Sequence, residues 1–260
     1  MPKDTMSPDK WAMEWSSRES KNLRANKKQA LKRWALKDLN LMLEMLLDFG
    51  VKPKMDIIEL GCAPGLVLKE LYQSRPNHQF FGIDYSIEGL NITKQFLKQN
   101  NIEAELIYGD IRTYIPDRTY DLVVSFGLIE HFDNPSKILE FHKKFCSQDG
   151  LVIATVPNYS NGHVKKALEK FRPITLQTHN LNIMSKEALV QAFSEAGFKD
   201  IQAGGAVGPL LPTPKETPTL QSKAYKLFSN IWNGSIRLIP PSITWNAYYW
   251  AIGHPECQSE

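Results

Sequence analysis

The stretch DIIELGCAPGLVLKEL, residues 56–71, sets the first expectation for the fold. Its apolar run is followed by a loop that contains two glycines, and an apolar helical pattern begins after the loop. That order is typical of a strand that leads into a nucleotide-binding turn and a helix in a Rossmann-like fold. The stretch therefore predicts a ligand at the carboxyl end of this strand.

Strand and helix patterns alternate through the rest of the chain. Apolar runs that are typical of buried strands occupy residues 56–60, 79–84, 104–110, 121–127 and 150–158, with further strands near 199–203 and at 245–254. Helical patterns lie between them at residues 66–73, 87–100, 136–146 and 185–198. Such alternation predicts an α/β fold in which helices cover both faces of a mostly parallel sheet.

Three segments depart from this regular alternation. Residues 8–50 have a helical pattern, and residues 159–184 and 204–244 interrupt the later part of the core. The last of these is rich in proline around a possible helix at 221–234. We therefore expect an N-terminal helical cap at residues 1–50 and one domain at 51–260, in which the two insertions form lids over the substrate.

Composition places the chain among ordinary globular proteins. Its 260 residues are 42% hydrophobic and 23% charged, and the net charge of +3 is too small to indicate nucleic-acid binding. Its cysteines, Cys62, Cys146 and Cys257, have neither metal-ligand spacing nor a disulfide pattern. With neither a signal-peptide pattern nor a bilayer-length apolar run, we expect a cytoplasmic protein without membrane contact.

The loop after the first strand does not match the dinucleotide fingerprint. A GxGxxG pattern that begins at Gly61 needs glycine at the positions of Ala63 and Leu66. The pattern ExGxGxG fits better, because Glu59, Gly61 and Gly65 are present and Ala63 alone departs. Over residues 52–254 the chain thus resembles the class I S-adenosylmethionine (SAM)-dependent methyltransferases. The resemblance implies a seven-stranded sheet with an antiparallel last strand.

By this resemblance the loop holds the amino-acid end of SAM. A helix N-terminus favours the carboxylate of that group, and glycines permit close approach of the backbone. Cys62 and Ala63 belong to this loop, and Ala63 adds only one methyl group where the family has glycine. A strand-to-helix turn without a ligand remains the alternative.

Two acids follow where the resemblance implies contacts with the nucleoside of SAM. Asp84, beside Tyr85, ends the second strand, where an acid accepts hydrogen bonds from both ribose hydroxyls. Asp110 follows the third strand and is expected to bind the adenine amino group, while Ile111 packs on the ring. Helix capping is the alternative role for Asp84, although Ser86 can perform it instead.

The segment YDLVVSFGLIEHFDNPSKIL, residues 120–139, resembles small-molecule methyltransferases, including the ubiquinone-biosynthesis O-methyltransferase type. By that resemblance Phe126 lies near the sulfonium and His131 lies close to the methyl acceptor. A histidine with an ordinary pKa of about 6.5 can take a proton from the acceptor near neutral pH. A structural role is the alternative for His131, and Glu130 is expected to hold local structure.

Aromatic and basic residues in the N-terminal segment leave two interpretations open. Trp11, Trp15 and Trp34 either enclose a flat or cationic acceptor or pack the cap onto the core. Arg24 and Arg33 either reach the carboxylate of SAM or belong to a solvated helix face. We expect no metal site, because His163, His179 and His254 are too dispersed along the chain to indicate one.

The sequence therefore predicts an enzyme that transfers a methyl group from SAM to an oxygen or nitrogen atom of a small-molecule metabolite. The predicted cofactor-binding residues are Glu59, Gly61, Cys62, Ala63, Gly65, Asp84, Tyr85, Asp110, Ile111 and Phe126. An RNA or protein methyltransferase is the first alternative, although the basic segment 18–33 alone supports it. A non-catalytic SAM-binding protein is the second, and the sequence does not indicate an oligomeric state.

Overall fold

The structure is a computed structural model, which describes residues 4, 7, 10, 11, 13, 53–160, 162–206, 220–235 and 247–256. Most of the N-terminal helical pattern at 8–50 and much of the 204–244 insertion lie outside the described residues. Arg24 and Arg33, with their expected contacts, also lie outside them. The proposed division at residues 50 and 51 therefore stays a prediction.

A seven-stranded sheet forms the centre of the described chain. Its strands are β1 (Asp56–Leu60), β2 (Gln79–Asp84), β3 (Glu105–Tyr108), β4 (Tyr120–Phe126), β5 (Cys146–Pro157), β6 (Phe198–Ala206) and β7 (Tyr248–Pro255). They lie in the order β3-β2-β1-β4-β5-β7-β6, and β1 to β5 pair in parallel. The last strand, β7, is antiparallel to both β5 and β6. The predicted fold class is confirmed.

Continuous apolar runs form the central strands because both faces of a parallel sheet are covered. Neighbouring residues of β1 illustrate this arrangement, since Ile57 and Ile58 are both fully buried but belong to two different hydrophobic clusters. Ile58 pairs with Phe81 of β2 and Val123 of β4, and both of these lie in its cluster. Strict alternation of polar and apolar residues is therefore absent from β1.

Helices surround this sheet and follow the predicted alternation. They are α1 (Leu66–Ser74), α2 (Ile87–Gln99), α3 (Pro135–Phe145), α4 (Gly162–Phe171), α5 (Pro173–Gln177), α6 (Lys186–Glu195) and α7 (Leu220–Ser235). The side chains of Ser86, Asn134 and Ser185 cap α2, α3 and α6 by accepting hydrogen bonds from backbone N–H groups. Such caps typically contribute about 1 kcal/mol each.

Element boundaries differ from the prediction at several places, of which the start of β5 and the extent of β6 are two. The helix expected at 136–146 ends at Phe145, and β5 begins at Cys146 rather than at Gly150. The strand expected near 199–203 extends from Phe198 to Ala206. Pairing between Tyr120 and Cys146 carries β5 past the polar residues at 147–149, which have no strand pattern of their own.

The 159–184 segment folds back toward the carboxyl ends of the parallel strands. After α4 and α5 it forms a short 3₁₀ turn at Leu181–Ile183. The backbone N–H of Asn180 donates to the carbonyl of Glu130 at 2.6 Å, and its side-chain amide donates to the carbonyl of Phe132 at 3.2 Å. These bonds attach the segment to the turn that follows β4.

The possible helix at 221–234 is present as α7. Its Tyr225 ring stacks on Phe171 of α4, with a distance of 4.4 Å between the ring centroids. Leu227 and Phe228 of α7 are exposed. Within the described part of the chain, none of the helices has the length and apolar character needed to cross a bilayer.

Candidate active site

A cavity of about 220 Å³ lies at the carboxyl edge of β1, β2 and β4. The strand order reverses between β1 and β4, and open α/β sheets bind ligands at such a point. Eight of the predicted site residues line the cavity, namely Gly61, Ala63, Asp84, Tyr85, Asp110, Ile111, Phe126 and His131. The other three, Glu59, Cys62 and Gly65, are not part of the lining.

Glycines shape the turn between β1 and α1. Gly61 and Gly65 have φ angles of +75° and +85°, in the left-handed region that favours glycine. The backbone N–H groups of Gly61 and Cys62 both donate to the carbonyl of Ile83, which attaches the turn to β2. A Cβ atom on Gly65 would lie 2.9 Å from the Thr93 side chain, so both the φ angle and the close packing favour glycine there.

Glu59 and Cys62 support this turn from the protein interior. Both side chains are buried, and burial raises the pKa of each well above its ordinary value. Among the described residues the Oε2 atom of Glu59 has no hydrogen-bond partner. The side chain of Cys62 packs against Gly82, where a Cβ atom would lie 2.7 Å from the sulfur. Their predicted contacts with a cofactor stay predictions.

Asp84 presents a buried carboxylate to the cavity. Its Oδ1 accepts from the backbone N–H of Ser86 at 2.9 Å, and its Oδ2 accepts from that of Ala63 at 3.2 Å. Burial raises the pKa of Asp84 to about 6, although these hydrogen bonds oppose the shift. A carboxylate has about four lone-pair positions, so it retains capacity for further donors. Because Ser86 caps α2, helix capping does not explain this acid.

Asp110 lies beside an arginine that the motif search did not single out. The Nε atom of Arg112 donates to both carboxylate oxygens of Asp110, at 2.9 and 3.0 Å, and its Nη2 donates at 2.5 Å. Burial raises the pKa of Asp110, but the hydrogen bonds and the charge of Arg112 outweigh it and lower the pKa overall. Arg112 and Ile111 both line the cavity. The sequence did contain a signal for this ion pair, because Arg112 follows Asp110 by two residues in YGDIR.

N-terminal residues also reach the cavity. The Tyr85 hydroxyl donates to Asp4 at 2.8 Å, and burial together with this acid raises the pKa of Tyr85. Asp4 forms an isolated β-bridge with Phe132, and Trp11 lies edge-on to His131 with ring centroids 5.0 Å apart. Asp4 belongs to no motif, so the sequence contained no signal for this contact.

His131 lines the cavity from the turn after β4, whereas the predicted nucleoside contacts follow β2 and β3. It is buried, and its Nδ1 donates to the carbonyl of Thr178 at 2.9 Å in the neutral tautomer. Burial lowers the pKa of His131 to about 4, so the ring is neutral at physiological pH and Nε2 is its acceptor atom. This makes it a weaker base than an ordinary histidine, and its catalytic role stays a prediction.

His179 is a neighbour of His131 that sequence spacing concealed. The two ring centroids are 4.4 Å apart, and the Tyr159 ring lies 5.2 Å from His179. Glu130, His131 and His179 each offer one potential ligand atom, and these atoms all lie within 4.8 Å of one another. Histidines that are dispersed along the sequence are therefore not all dispersed in space.

The chemistry of the cavity fits SAM. Asp84 supplies acceptor oxygens for a ribose diol, and Ile111 and Phe126 supply apolar surface for a purine ring and a thioether chain. Gly61 and Gly127 line the cavity without side chains, both with positive φ angles. When it is bound, SAM supplies an electrophilic methyl group on its sulfonium.

Curated relatives match only part of this chain. A probable (S)-tetrahydroprotoberberine N-methyltransferase 2 from Papaver bracteatum is 26% identical over 39% of the chain and 29% of its own length. A ubiquinone biosynthesis O-methyltransferase from Rickettsia akari is 24% identical over 40% of the chain and 41% of its own length. The match thus spans less than half the length of either relative.

Solved structures share the fold over nearly the whole chain. A SAM-dependent methyltransferase from Thermotoga maritima, described as a possible histamine N-methyltransferase, has a TM-score of 0.61 at 13% identity and covers 91% of this chain and 95% of its own. The plantazolicin methyltransferase BpumL in complex with SAH has a TM-score of 0.56 at 16% identity, with 94% of each chain covered.

A protein-family model described as a methyltransferase domain matches residues 26–203, which is more than half of the chain. The match contains β1 to β5, and with them the β1–α1 turn and the acids at positions 84 and 110. With the fold and the cavity described above, this match identifies the family. The chain belongs to the class I SAM-dependent methyltransferases.

Proposed function

We propose that this protein transfers the methyl group of SAM to an oxygen or nitrogen atom of a small-molecule acceptor. The observation that carries the proposal is that Asp84 and His131 line the same cavity. The first suits the ribose of the methyl donor, and the second lies where the acceptor is expected. Donor and acceptor would therefore meet within one enclosed volume.

The donor side of this proposal assigns SAM to the residues predicted from the sequence. Asp84 accepts from the ribose hydroxyls, Asp110 binds the adenine amino group, and Ile111 packs on the ring. The turn at Gly61, Cys62, Ala63 and Gly65 holds the amino-acid end, with Glu59 beneath it. Phe126 and Tyr85 complete the wall. Most of these residues line the cavity, which supports their roles, whereas Glu59, Cys62 and Gly65 do not line it and would act through the shape of the turn.

The acceptor side works mainly through position. Transfer from a sulfonium is an in-line displacement, so holding the acceptor close to the methyl group and excluding water supply much of the rate. Trp11 contacts the ring of His131 edge-on, and Phe132 and Leu128 also line the cavity. These side chains form an apolar, partly aromatic wall that suits a flat or cationic acceptor.

His131 accepts a hydrogen bond from the acceptor in this proposal. Its Nδ1–H is directed to Thr178, so the neutral ring offers Nε2 to an O–H or N–H group. A base is required only where the acceptor atom carries a proton in its resting state. Both N-methyltransferases and O-methyltransferases are among the relatives, which is consistent with either acceptor atom.

The domain division belongs to the same proposal. Residues 1–50 act as a cap and residues 159–184 and 204–244 as lids on the 51–260 domain. Contacts of Asp4 with Tyr85 and of Asn180 with Glu130 support this arrangement, because each joins one of these segments to the cavity region. Acceptor choice would then depend on these segments.

Labelled SAM tests the proposal directly. The protein is incubated with methyl-labelled SAM and separate small-metabolite, RNA and protein fractions of a cell extract. We expect label in the small-metabolite fraction, and we expect the Asp84→Ala variant to lose it. Asp149→Ala is the matched control, since Asp149 is exposed at the opposite end of β5. Label confined to RNA or protein, or no transfer despite bound SAM, would overturn the proposal.

A further inference from the structure

Three side chains beside the cavity form a cluster that binding of the methyl donor does not explain. Glu130 and His131 belong to the 3₁₀ turn after β4, and His179 comes from the 159–184 segment. One potential ligand atom of each lies within 4.8 Å of the other two. Glu130 and His131 are buried and His179 is half-buried, so the group is largely shielded from solvent.

Both histidines are oriented by backbone carbonyls. The Nδ1 of His131 lies 2.9 Å from the carbonyl of Thr178, and the Nδ1 of His179 lies 2.6 Å from the carbonyl of Thr175. A carbonyl only accepts, so each Nδ1 carries the proton and each Nε2 carries the lone pair. Histidines that bind metals commonly have this second hydrogen bond, which fixes the ring and its tautomer.

Glu130 adds a buried carboxyl group that has no cationic neighbour among the described residues. Its side chain is buried, and among the described residues its Oε2 atom has no hydrogen-bond partner. A buried carboxylate of this kind is costly unless a cation or a donor accompanies it. The turn that carries it is fixed, because Asn180 donates to the Glu130 carbonyl at 2.6 Å. Gly127 leaves room beside it, since a Cβ there would lie 3.2 Å from Oε1.

We propose that Glu130, His131 and His179 bind a divalent transition-metal ion of the Zn²⁺ type. Two imidazoles and one carboxylate form the ligand set of many catalytic zinc sites, which keep a further position open. Tetrahedral coordination at about 2.1 Å places ligand atoms roughly 3.4 Å apart, so modest side-chain rotations close the present spacing. His131 also lines the cavity, so a metal ion on its Nε2 would lie at the edge of the cavity that is proposed to hold the acceptor.

The consequence for catalysis rests on the proposed function. An acceptor hydroxyl bound at the open position would have a lowered pKa and would release its proton to solvent. The oxygen lone pair then forms the bond to the methyl carbon, while the carbon–sulfur bond breaks and its electron pair stays on sulfur. His131 would then hold the metal through Nε2, so the hydrogen bond to the acceptor proposed above would be replaced by coordination of the acceptor to the metal.

Zinc titration of the chelator-treated full-length protein tests this inference without SAM or an acceptor. We expect one Zn²⁺ per chain by calorimetry and by elemental analysis. Glu130→Gln and His179→Ala should each weaken binding at least a hundredfold. His163→Gln is the matched control, because His163 is exposed on α4 and should leave the affinity unchanged. Equal binding by all of these proteins, or no stoichiometric zinc in the wild type, would overturn the site.

Further measurements distinguish a loss of zinc binding from misfolding and from a loss of methyl transfer. Circular dichroism and SAM affinity report whether each variant folds, and Co²⁺ in the wild type should give the visible absorption of a tetrahedral site. Featureless Co²⁺ spectra together with absent zinc binding overturn the metal site even where the variants misfold. Absent zinc with intact SAM binding contradicts this inference alone, whereas zinc binding without methyl transfer to any fraction contradicts the proposed function alone.

Discussion

The proposed donor side and the proposed acceptor side of the cavity region are assembled in different ways. The donor side comes from the ends of β1, β2 and β3, which lie within one continuous stretch from Glu59 to Ile111. The acceptor side combines the turn after β4 with Trp11 and His179, which come from two distant segments. Local sequence patterns can therefore report the methyl donor but not the acceptor.

The same contrast holds for the electrostatics of the two sides. On the donor side backbone N–H groups and Arg112 hold the carboxylates of Asp84 and Asp110. On the acceptor side burial lowers the pKa of His131 to about 4 and raises the pKa of Glu130 to about 8. Polar partners thus orient the two carboxylates on the proposed donor side, which can accept from hydroxyl and amino groups. On the proposed acceptor side, burial favours the neutral forms of His131 and Glu130.

Removing the Asp84 carboxylate should have the largest effect on the donor side. Asp84→Ala should weaken SAM binding at least tenfold, because hydrogen bonds to a charged group typically contribute about 1.5–3 kcal/mol. Calorimetry measures the loss, with Asp149→Ala as the control that retains wild-type affinity. Equal SAM affinity in the two variants would mean that the ribose is not bound by this acid.

Acid should weaken SAM binding through the same residue. With the pKa of Asp84 raised to about 6, SAM affinity should fall about tenfold between pH 7.5 and pH 5, as the carboxylate becomes protonated. Folding responds in the opposite direction. The pKa of Asp84 in the folded protein exceeds the ordinary value of 3.8. Its contribution to the free energy of unfolding is therefore complete below about pH 4 and is lost as pH rises through about 6.

Calorimetric titrations at several pH values measure the acid effect. The Asp84→Asn variant serves as the control, because its amide does not titrate and its affinity should be nearly constant across the same range. A wild-type affinity that is as constant as that of the variant would contradict the assignment of the pH effect to Asp84.

A smaller loss is expected at the adenine end. Asp110→Asn should weaken SAM binding roughly fivefold, since one hydrogen bond of about 1 kcal/mol is lost. Competition with SAH separates this effect from methyl transfer, and Asp149→Asn is the matched control. An unchanged affinity would show that the ion pair with Arg112 engages Asp110 fully and leaves the adenine to other residues.

The smallest effect should arise on the acceptor side. Trp11→Ala removes the ring that lies against His131 and should raise the acceptor KM about two- to threefold, at the lower end of the roughly 0.5–1.5 kcal/mol that one aromatic contact contributes. SAM affinity should change less than twofold. A loss of SAM binding as large as the acceptor effect would remove the distinction between the two sides.

The sequence predicted the parallel core well because its strands are continuous apolar runs. Ile57, Ile58 and Leu60 leave little choice for β1, and the caps at Ser86 and Ser185 mark where two helices begin. Polar residues at 147–149 concealed the start of β5, which is fixed by pairing with β4. Local patterns describe hydrophobic burial and capping, but strand ends also depend on partners that are distant in sequence.

Within the site, sequence patterns identified cavity-lining residues where the motif and the cavity edge lie in one segment of the chain. Asp84 and Phe126 line the cavity as their places at strand ends imply. The ion pair of Asp110 with Arg112, the bond of Asp4 with Tyr85, and the approach of His179 to His131 were not predicted. The last two depend on how distant segments fold back, which residue spacing does not report.

Titration of the folded wild-type protein with SAM tests the central claim most directly. Calorimetry should give one binding site with a dissociation constant in the micromolar range, and NAD should give no binding under the same conditions. Circular dichroism confirms in parallel that the sample is folded. A folded protein that fails to bind SAM, or that binds NAD instead, would contradict the account.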